Sequence, residues 1–272
     1  MTANIYIKMN AFCTEDECIG MGLENIQFLY CSKPGYMKNK HVAGGLILFV
    51  EKNSDKFVKA IMSLVLPEGK IVVLIDCGDS YDLSSKVYWG LKASGFGETK
   101  ILVNGDWKML PIVSEDIVEV AKTDQEYLPF NNSIVLKKSD LESIESFYQQ
   151  IIHVEKFEFP VSDSFLKKSE ILAYFKEIGV NFSQNRSSIV FGKKACFAGI
   201  LIHLITGKTV SVVIDKITKD PIADRHSTTI QVQDPKNSGY SLTIDDHFKP
   251  TYIKPRQPLE RESSVCANCL VF

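Results

Sequence analysis

The sequence predicts an α/β protein of two tandem domains, each a mostly parallel sheet flanked by helices, with a C-terminal hairpin and an extended tail. Three observations lead there. Short β-branched aliphatic runs alternate with segments of helical spacing, which is the pattern of right-handed strand–helix–strand crossovers. The alternation occurs twice along the chain. The length of 272 residues suits two cores of roughly 100–150 residues each. The expected boundaries are a first domain over 1–120, a linker over 121–138, a second and degenerate domain over 139–220, and a hairpin with a flexible tail over 221–272.

In the first half, Ile26–Cys31 is a short apolar run stopped by Ser32, Lys33, Pro34 and Gly35, and Gly45–Val50 is another. Asp55–Leu66 has helical spacing, with Phe57, Val58, Ile61, Leu64 and Val65 on one face. Ile71–Ile75 is a continuous aliphatic run of the kind buried on both faces of a parallel sheet. Leu83–Ser94 returns to helical spacing and Gly95 ends it. Lys100–Val103 is strand-like. Residues 111–138 read as irregular and polar.

In the second half, Ser139 followed by Glu142 makes a capping box and predicts a helix running to about Gln150. Lys168–Ile178 is the next helix, Ser188–Phe191 a strand, and Ala195–Thr206 a helix apolar on nearly every side, hence buried. Val210–Ile214 is a strand. The second half repeats the first without its opening strand. Thr228–Gln233 and Tyr240–Ile244 alternate apolar and polar residues around a Pro-Gly turn and read as a hairpin.

Composition narrows the function classes. The net charge is −2, and all four arginines (Arg186, Arg225, Arg256, Arg261) lie in the last third. No basic stripe exists to neutralise phosphates, so nucleic acid is not an expected partner. No apolar run approaches the roughly 18 residues that would span a bilayer. The N-terminus shows no basic-then-apolar leader, and Glu15, Asp16 and Glu17 come early for an organelle presequence. Seven scattered cysteines read as reduced thiols. A cytoplasmic location follows as the expectation.

Three segments carry a resemblance. Lys40-His41-Val42-Ala43-Gly44-Gly45 is the first. The second is Val72–Asp76, then Ser85–Trp89, Gly95 and Leu102–Trp107. The third runs from Phe159-Pro160 through Ser169–Val180 to Gly192–Cys196 and Leu204–Lys208. In this order and spacing, over roughly residues 25–110 and 139–215, they resemble the two-domain rhodanese and 3-mercaptopyruvate sulfurtransferase family. The first stands where that family has its Gly-His-Ile-Pro-Gly-Ala signature. The second resembles its first, non-catalytic domain, and the third runs through its catalytic loop.

The resemblance implies a sulfurtransferase with a cysteine at the end of a central strand, cradled by backbone N–H groups that lower its pKa and hold a persulfide. The family pattern is cysteine, two residues, glycine, one residue, serine or threonine, alanine. Aligned on Gly192 and Ala195, the cysteine position falls on Ile189 and the hydroxyl position on Lys194, with Lys193 between the glycine and that position. An aliphatic side chain can neither attack a sulfane sulfur nor carry one. The second domain also reads Asp215-Lys216-Ile217-Thr218 where the family has Asp-Gly-Ser-Trp. Many relatives work in mitochondria, which the resemblance makes the alternative location.

Other thiols are weighed against plainer roles. Cys77 follows Asp76 at the topologically equivalent place in the first domain, but its loop is acidic, which raises a thiol pKa. Cys196 lies in the first turn of a helix beside Lys193 and Lys194, which favours a thiolate, yet that helix is apolar all round and burial is the plainer reading. Cys13 and Cys18 with Cys266 and Cys269 would supply four thiolates to zinc only by pairing opposite termini, without knuckle glycines. His41, His153, His203, His226 and His247 form no metal spacing. No metal and no cofactor are expected.

The last four residues, Cys269-Leu270-Val271-Phe272, match a C-a-a-X prenylation box of the geranylgeranyl type, with Cys266 upstream as a palmitoylation candidate. The weight of these observations leans away from an active enzyme and towards a sulfurtransferase homologue kept as a binding or structural protein, its protein partner unidentified. The alternatives are an active sulfurtransferase using Cys77 or Cys196, and a prenylated adaptor at a membrane surface.

Overall fold

The computed structural model describes residues 11–35, 40–78, 81–103, 108–123, 129–141, 149–154, 168–177, 180 and 187–215. Met1–Pro221 form one compact unit and Ile222–Phe272 a second. The second unit, with the expected hairpin, Cys266 and Cys269, lies outside the described residues.

A two-residue strand, β1 (Phe12–Cys13), leads into α1 (Glu15–Met21). Thr14 caps that helix through the Glu17 amide, and the Glu17 carboxylate accepts from the Thr14 N–H, so both ends of a capping box are present. Strand β2 (Ile26–Ser32) is buried throughout. A short β3 (His41–Val42) and β4 (Leu46–Phe49) follow, then α2 (Ser54–Met62), capped by Asn53. Strand β5 (Ile71–Asp76), helix α3 (Asp82–Ala93) and strand β6 (Thr99–Leu102) complete the first crossover set.

Two-residue strands β7 (Ile112–Val113), β8 (Val118–Glu119) and β9 (Val135–Leu136) lie in the stretch expected to be irregular. Then come α4 (Lys138–Leu141), β10 (Gln149–His153), α5 (Lys168–Glu177), β11 (Ser187–Phe191), α6 (Ala195–Thr206) and β12 (Val210–Val213).

Six strands form one sheet in the order β1-β6-β5-β2-β4-β8, and four form another in the order β10-β11-β12-β9. All pairs in both sheets are parallel; β3 and β7 make a separate antiparallel pair. Parallel neighbours require crossovers, and the helices supply them, so the α/β architecture expected from the alternation is the one observed. The two sheets share one plan. Read from β1, the order β1-β6-β5-β2 parallels β9-β12-β11-β10, with β4 and β8 extending the first sheet beyond β2, and each central strand, β5 or β11, feeds a helix, α3 or α6.

Two elements of the second half differ from expectation. The helix predicted to reach Gln150 does not: Gln149 and Gln150 open β10. Ser139 sits inside α4 rather than at its N-cap, and the Asp140 carboxylate accepts from the Lys137 N–H instead. Residues Ile151 and Ile152 pair in register with Ile189 and Val190, so a tertiary pairing outweighed the local capping signal. This β10, with β9, supplies the opening strands that the second half was expected to lack.

Helices α3 and α6 are the joint of the unit. Asp82 meets Lys194, Trp89 meets Cys196, and Lys92 meets His203, so the two helices run side by side in the same direction. Gly199 makes the close approach possible: a Cβ there would stand 2.5 Å from Val212 Cγ1 and 3.4 Å from Trp89 Cζ2. The largest apolar cluster gathers residues of both helices and both sheets, among them Leu74, Trp89, Ile200 and Val212.

Candidate functional site

In this topology the carboxyl ends of the central strands, and the loops that follow them, are where open parallel sheets place ligand chemistry. Two such ends face the joint, after β5 and after β11.

After β5, Asp76 organises the turn. Its carboxylate accepts from the Gly78 N–H at 2.8 Å, the Ser84 N–H at 2.8 Å and the Ser84 hydroxyl at 2.9 Å. It thus caps α3 from the strand end, while Tyr81 at the N-cap position offers no side-chain cap and takes a left-handed φ of 54°. Burial holds the Asp76 pKa above the usual carboxylate value, and the three hydrogen bonds offset only part of that rise. Cys77 sits at this strand end. Its side chain packs with the cluster of Tyr30, Val73 and Ile75, whereas Leu74 and Val87 belong to the cluster on the α3 side.

After β11 the connection is short. Strand β11 ends at Phe191 and α6 begins at Ala195, leaving Gly192, Lys193 and Lys194. Gly192 has φ +112°, and a Cβ on it would lie 2.3 Å from the Val154 carbonyl oxygen, so the turn is built for glycine. Lys193 is exposed. Lys194 occupies the N-cap without a side-chain cap bond, and its ammonium pairs with Asp82 at 2.8 Å. Ala195 is buried.

Ile189 is two residues back inside the strand. It is wholly buried, in register with Ile151 and Ser211, and packs with Leu136, Leu141, Phe191 and Val213. Its neighbour Val190 joins the cluster that holds α6. Because strand side chains alternate, Ile189 points to the sheet face away from that helix.

Cys196 is the thiol nearest the loop. Trp89 Nε1 donates to its backbone carbonyl at 2.8 Å. Burial pushes its pKa up to about 12, with the Lys86 ammonium pulling weakly the other way. Lys86 itself donates to the Glu51 carbonyl at 3.0 Å, lies 4.5 Å over the Phe57 ring, and has its pKa lowered by burial. Phe197, one residue on, stacks on Tyr81 with centroids 6.0 Å apart and meets Phe12 edge-on at 5.8 Å. The first turn of α6 is therefore roofed by aromatic rings.

The structure brings Gly192, Lys193, Lys194, Ala195 and Cys196 together, as the sequence placed them, but leaves Ile189 and Cys77 facing elsewhere. The residues that sequence reasoning missed are Asp82, as the partner of Lys194, and Trp89, as the partner of the Cys196 carbonyl. Both lie on α3, and only tertiary pairing reveals them. Among the described residues, no group of three or more histidine, cysteine or acidic side chains is placed to hold a metal ion. No helix among them is long and apolar enough to cross a membrane.

Neither a family model nor a curated protein matches the chain. Solved structures do. The 3-mercaptopyruvate sulfotransferase SseA from Escherichia coli is 17% identical with a TM-score of 0.57, over 77% of this chain and 99% of that one. The 3-mercaptopyruvate sulfurtransferase from Leishmania major is 13% identical with a TM-score of 0.52, over 76% and 72%. YnjE is 12% identical with a TM-score of 0.55, over 84% and 67%. At these identities the likeness establishes architecture, and the architecture is the one that the sequence motifs pointed to: this chain has the rhodanese fold.

Proposed function

We propose that the chain is a divergent homologue of the rhodanese-type sulfurtransferases that no longer transfers sulfur and acts as a binding or structural protein. One observation carries the reading. The position that aligns with the family nucleophile is Ile189, buried inside β11 and turned from the α6 N-terminus. The following turn of Gly192, Lys193 and Lys194 contains no thiol. A persulfide carrier needs a thiolate that a donor can reach, and Cys196, with a pKa near 12, is almost entirely protonated at neutral pH.

The test is sulfur transfer from thiosulfate or 3-mercaptopyruvate to cyanide or a small thiol. The expected rate equals that of a variant with Cys77 and Cys196 both replaced by serine. A wild-type rate well above that variant would overturn the proposal.

A second reading is favoured by the position of Cys77, partly exposed at the end of β5, the counterpart of β11 in the first sheet. There Cys77 would carry the sulfur. It predicts a cyanide-labile sulfur on Cys77 after incubation with the donor. Intact mass unchanged by the donor would remove it.

A further inference from the structure

The N-terminal helix is held by an unusual pair. With Thr14 as N-cap, Cys13 is the residue before the cap and Cys18 is the fourth residue of the helix. Those are the two positions of a hydrophobic staple, whose apolar side chains pack together to fix how the chain enters a helix. Here both are cysteine. Their sulfurs stand 3.7 Å apart, and both residues are buried, at 1% and 0% exposure. A disulfide needs about 2.05 Å between sulfurs, so the two must close by well under one carbon–carbon contact distance.

We propose that Cys13 and Cys18 are a reversible disulfide-forming pair, so that the staple on α1 is closed covalently by oxidation. The other described thiols are placed differently: Cys31 donates to the Leu29 carbonyl, and Cys77 and Cys196 lie at the ends of β5 and the start of α6. The pair's surroundings suit the chemistry. The hydrogen-bonding contact with Cys13 and the positive charge of Lys100 on the neighbouring β6 both favour the Cys18 thiolate; burial with Glu15 and Glu17 opposes it. The cover over the pair is thin. Helix α1 has seven residues, and Asp16, Ile19 and Gly20 are on its exposed side. Fraying of so short an element admits a small oxidant.

The oxidant is a peroxide. The Cys18 thiolate attacks one oxygen of hydrogen peroxide, breaking the O–O bond; the sulfur becomes a sulfenic acid and the other oxygen leaves as water after taking a proton. Cys13 then attacks the Cys18 sulfur, its proton leaves with the hydroxyl as a second water, and the S–S bond forms. Two thiols supply the two electrons that reduce one peroxide.

The experiment treats the full-length chain with a slight excess of hydrogen peroxide, alkylates remaining thiols under denaturing conditions, and maps peptides by mass. The expected result is a peptide with Cys13 and Cys18 linked, both unalkylated, returning to two alkylated thiols after dithiothreitol, at peroxide doses that leave Cys31 and Cys196 alkylated. In Cys13→Ala the linked species is absent and Cys18 stops at a dimedone-reactive sulfenic acid. Wild-type Cys13 and Cys18 that remain alkylated, or that oxidise singly without linking, would overturn the proposal. So would zinc that co-purifies with the chain and shields both thiols from peroxide. The wild-type map decides the matter even where the variant does not fold.

Discussion

Single residues set the chemistry of this molecule by what surrounds them. Cys196 shows it best. Burial pushes its thiol up to about 12, so the group is protonated at pH 8. Cys196 is expected to be alkylated by iodoacetamide at pH 8 far more slowly in native than in denatured protein; labelling in the native state at the rate of a free thiol would contradict its raised pKa. The sign for stability follows. A folded pKa above the unfolded one favours the folded state fully below pH 9, and that contribution is lost as pH rises towards 12. Urea midpoints should therefore fall through this window, and fall less steeply in Cys196→Ala. Gly192 is the other decisive residue. Gly192→Ala places a Cβ against the Val154 carbonyl at a left-handed φ, and a loss of about 2–4 kcal/mol in urea unfolding is expected. Gly207→Ala, also left-handed but open around the Cβ, should lose only about 1 kcal/mol.

At the scale of elements, legibility depended on whether a segment declares itself locally. Helix α6 was read to the residue, because twelve apolar-rich positions ending in glycine leave no alternative. Strand β5 and helix α3 were nearly as plain. Strand β10 was not, since Gln149 and Gln150 carry no strand signal and only pairing with β11 makes them one. Helix α1 was not legible although Thr14 and Glu17 spell a capping box, because seven residues are too few to show an apolar periodicity. Thr14→Ala is expected to cost about 1 kcal/mol in chemical denaturation. At the joint, Trp89→Ala removes the ring wedged against α6 and its bond to the Cys196 carbonyl, and a loss of about 3–5 kcal/mol is expected. A loss under 1 kcal/mol would mean that α3 and α6 are not held through this side chain.

Across the whole molecule, the order of residues around the candidate site was legible and its geometry was not. The resemblance aligned Ile189 with the family's cysteine, but the direction of its side chain depends on the register of β11 between β10 and β12. The ion pair of Asp82 with Lys194 joins the turns after both central strands, and residues so far apart in sequence show no mutual signal without a fold. The two sheets repeat one strand order. The strands of each sheet pair among themselves, so the turn that follows β11 lies outside the ladder that holds the sheet together.

Strand β1 has a consequence for how the chain is made. It pairs with β6, placing Phe12 beside Ile101 and Cys13 beside Leu102. During synthesis the first strand therefore waits for the whole of the first crossover set to emerge before its partner exists. Contacts between sites so distant in sequence are slow to form. Helix α1, with its local capping box, needs no such partner and can form beforehand. Helix α1 then stands capped while β1 still awaits its partner, and this edge of the first sheet closes only after the crossover set has been made.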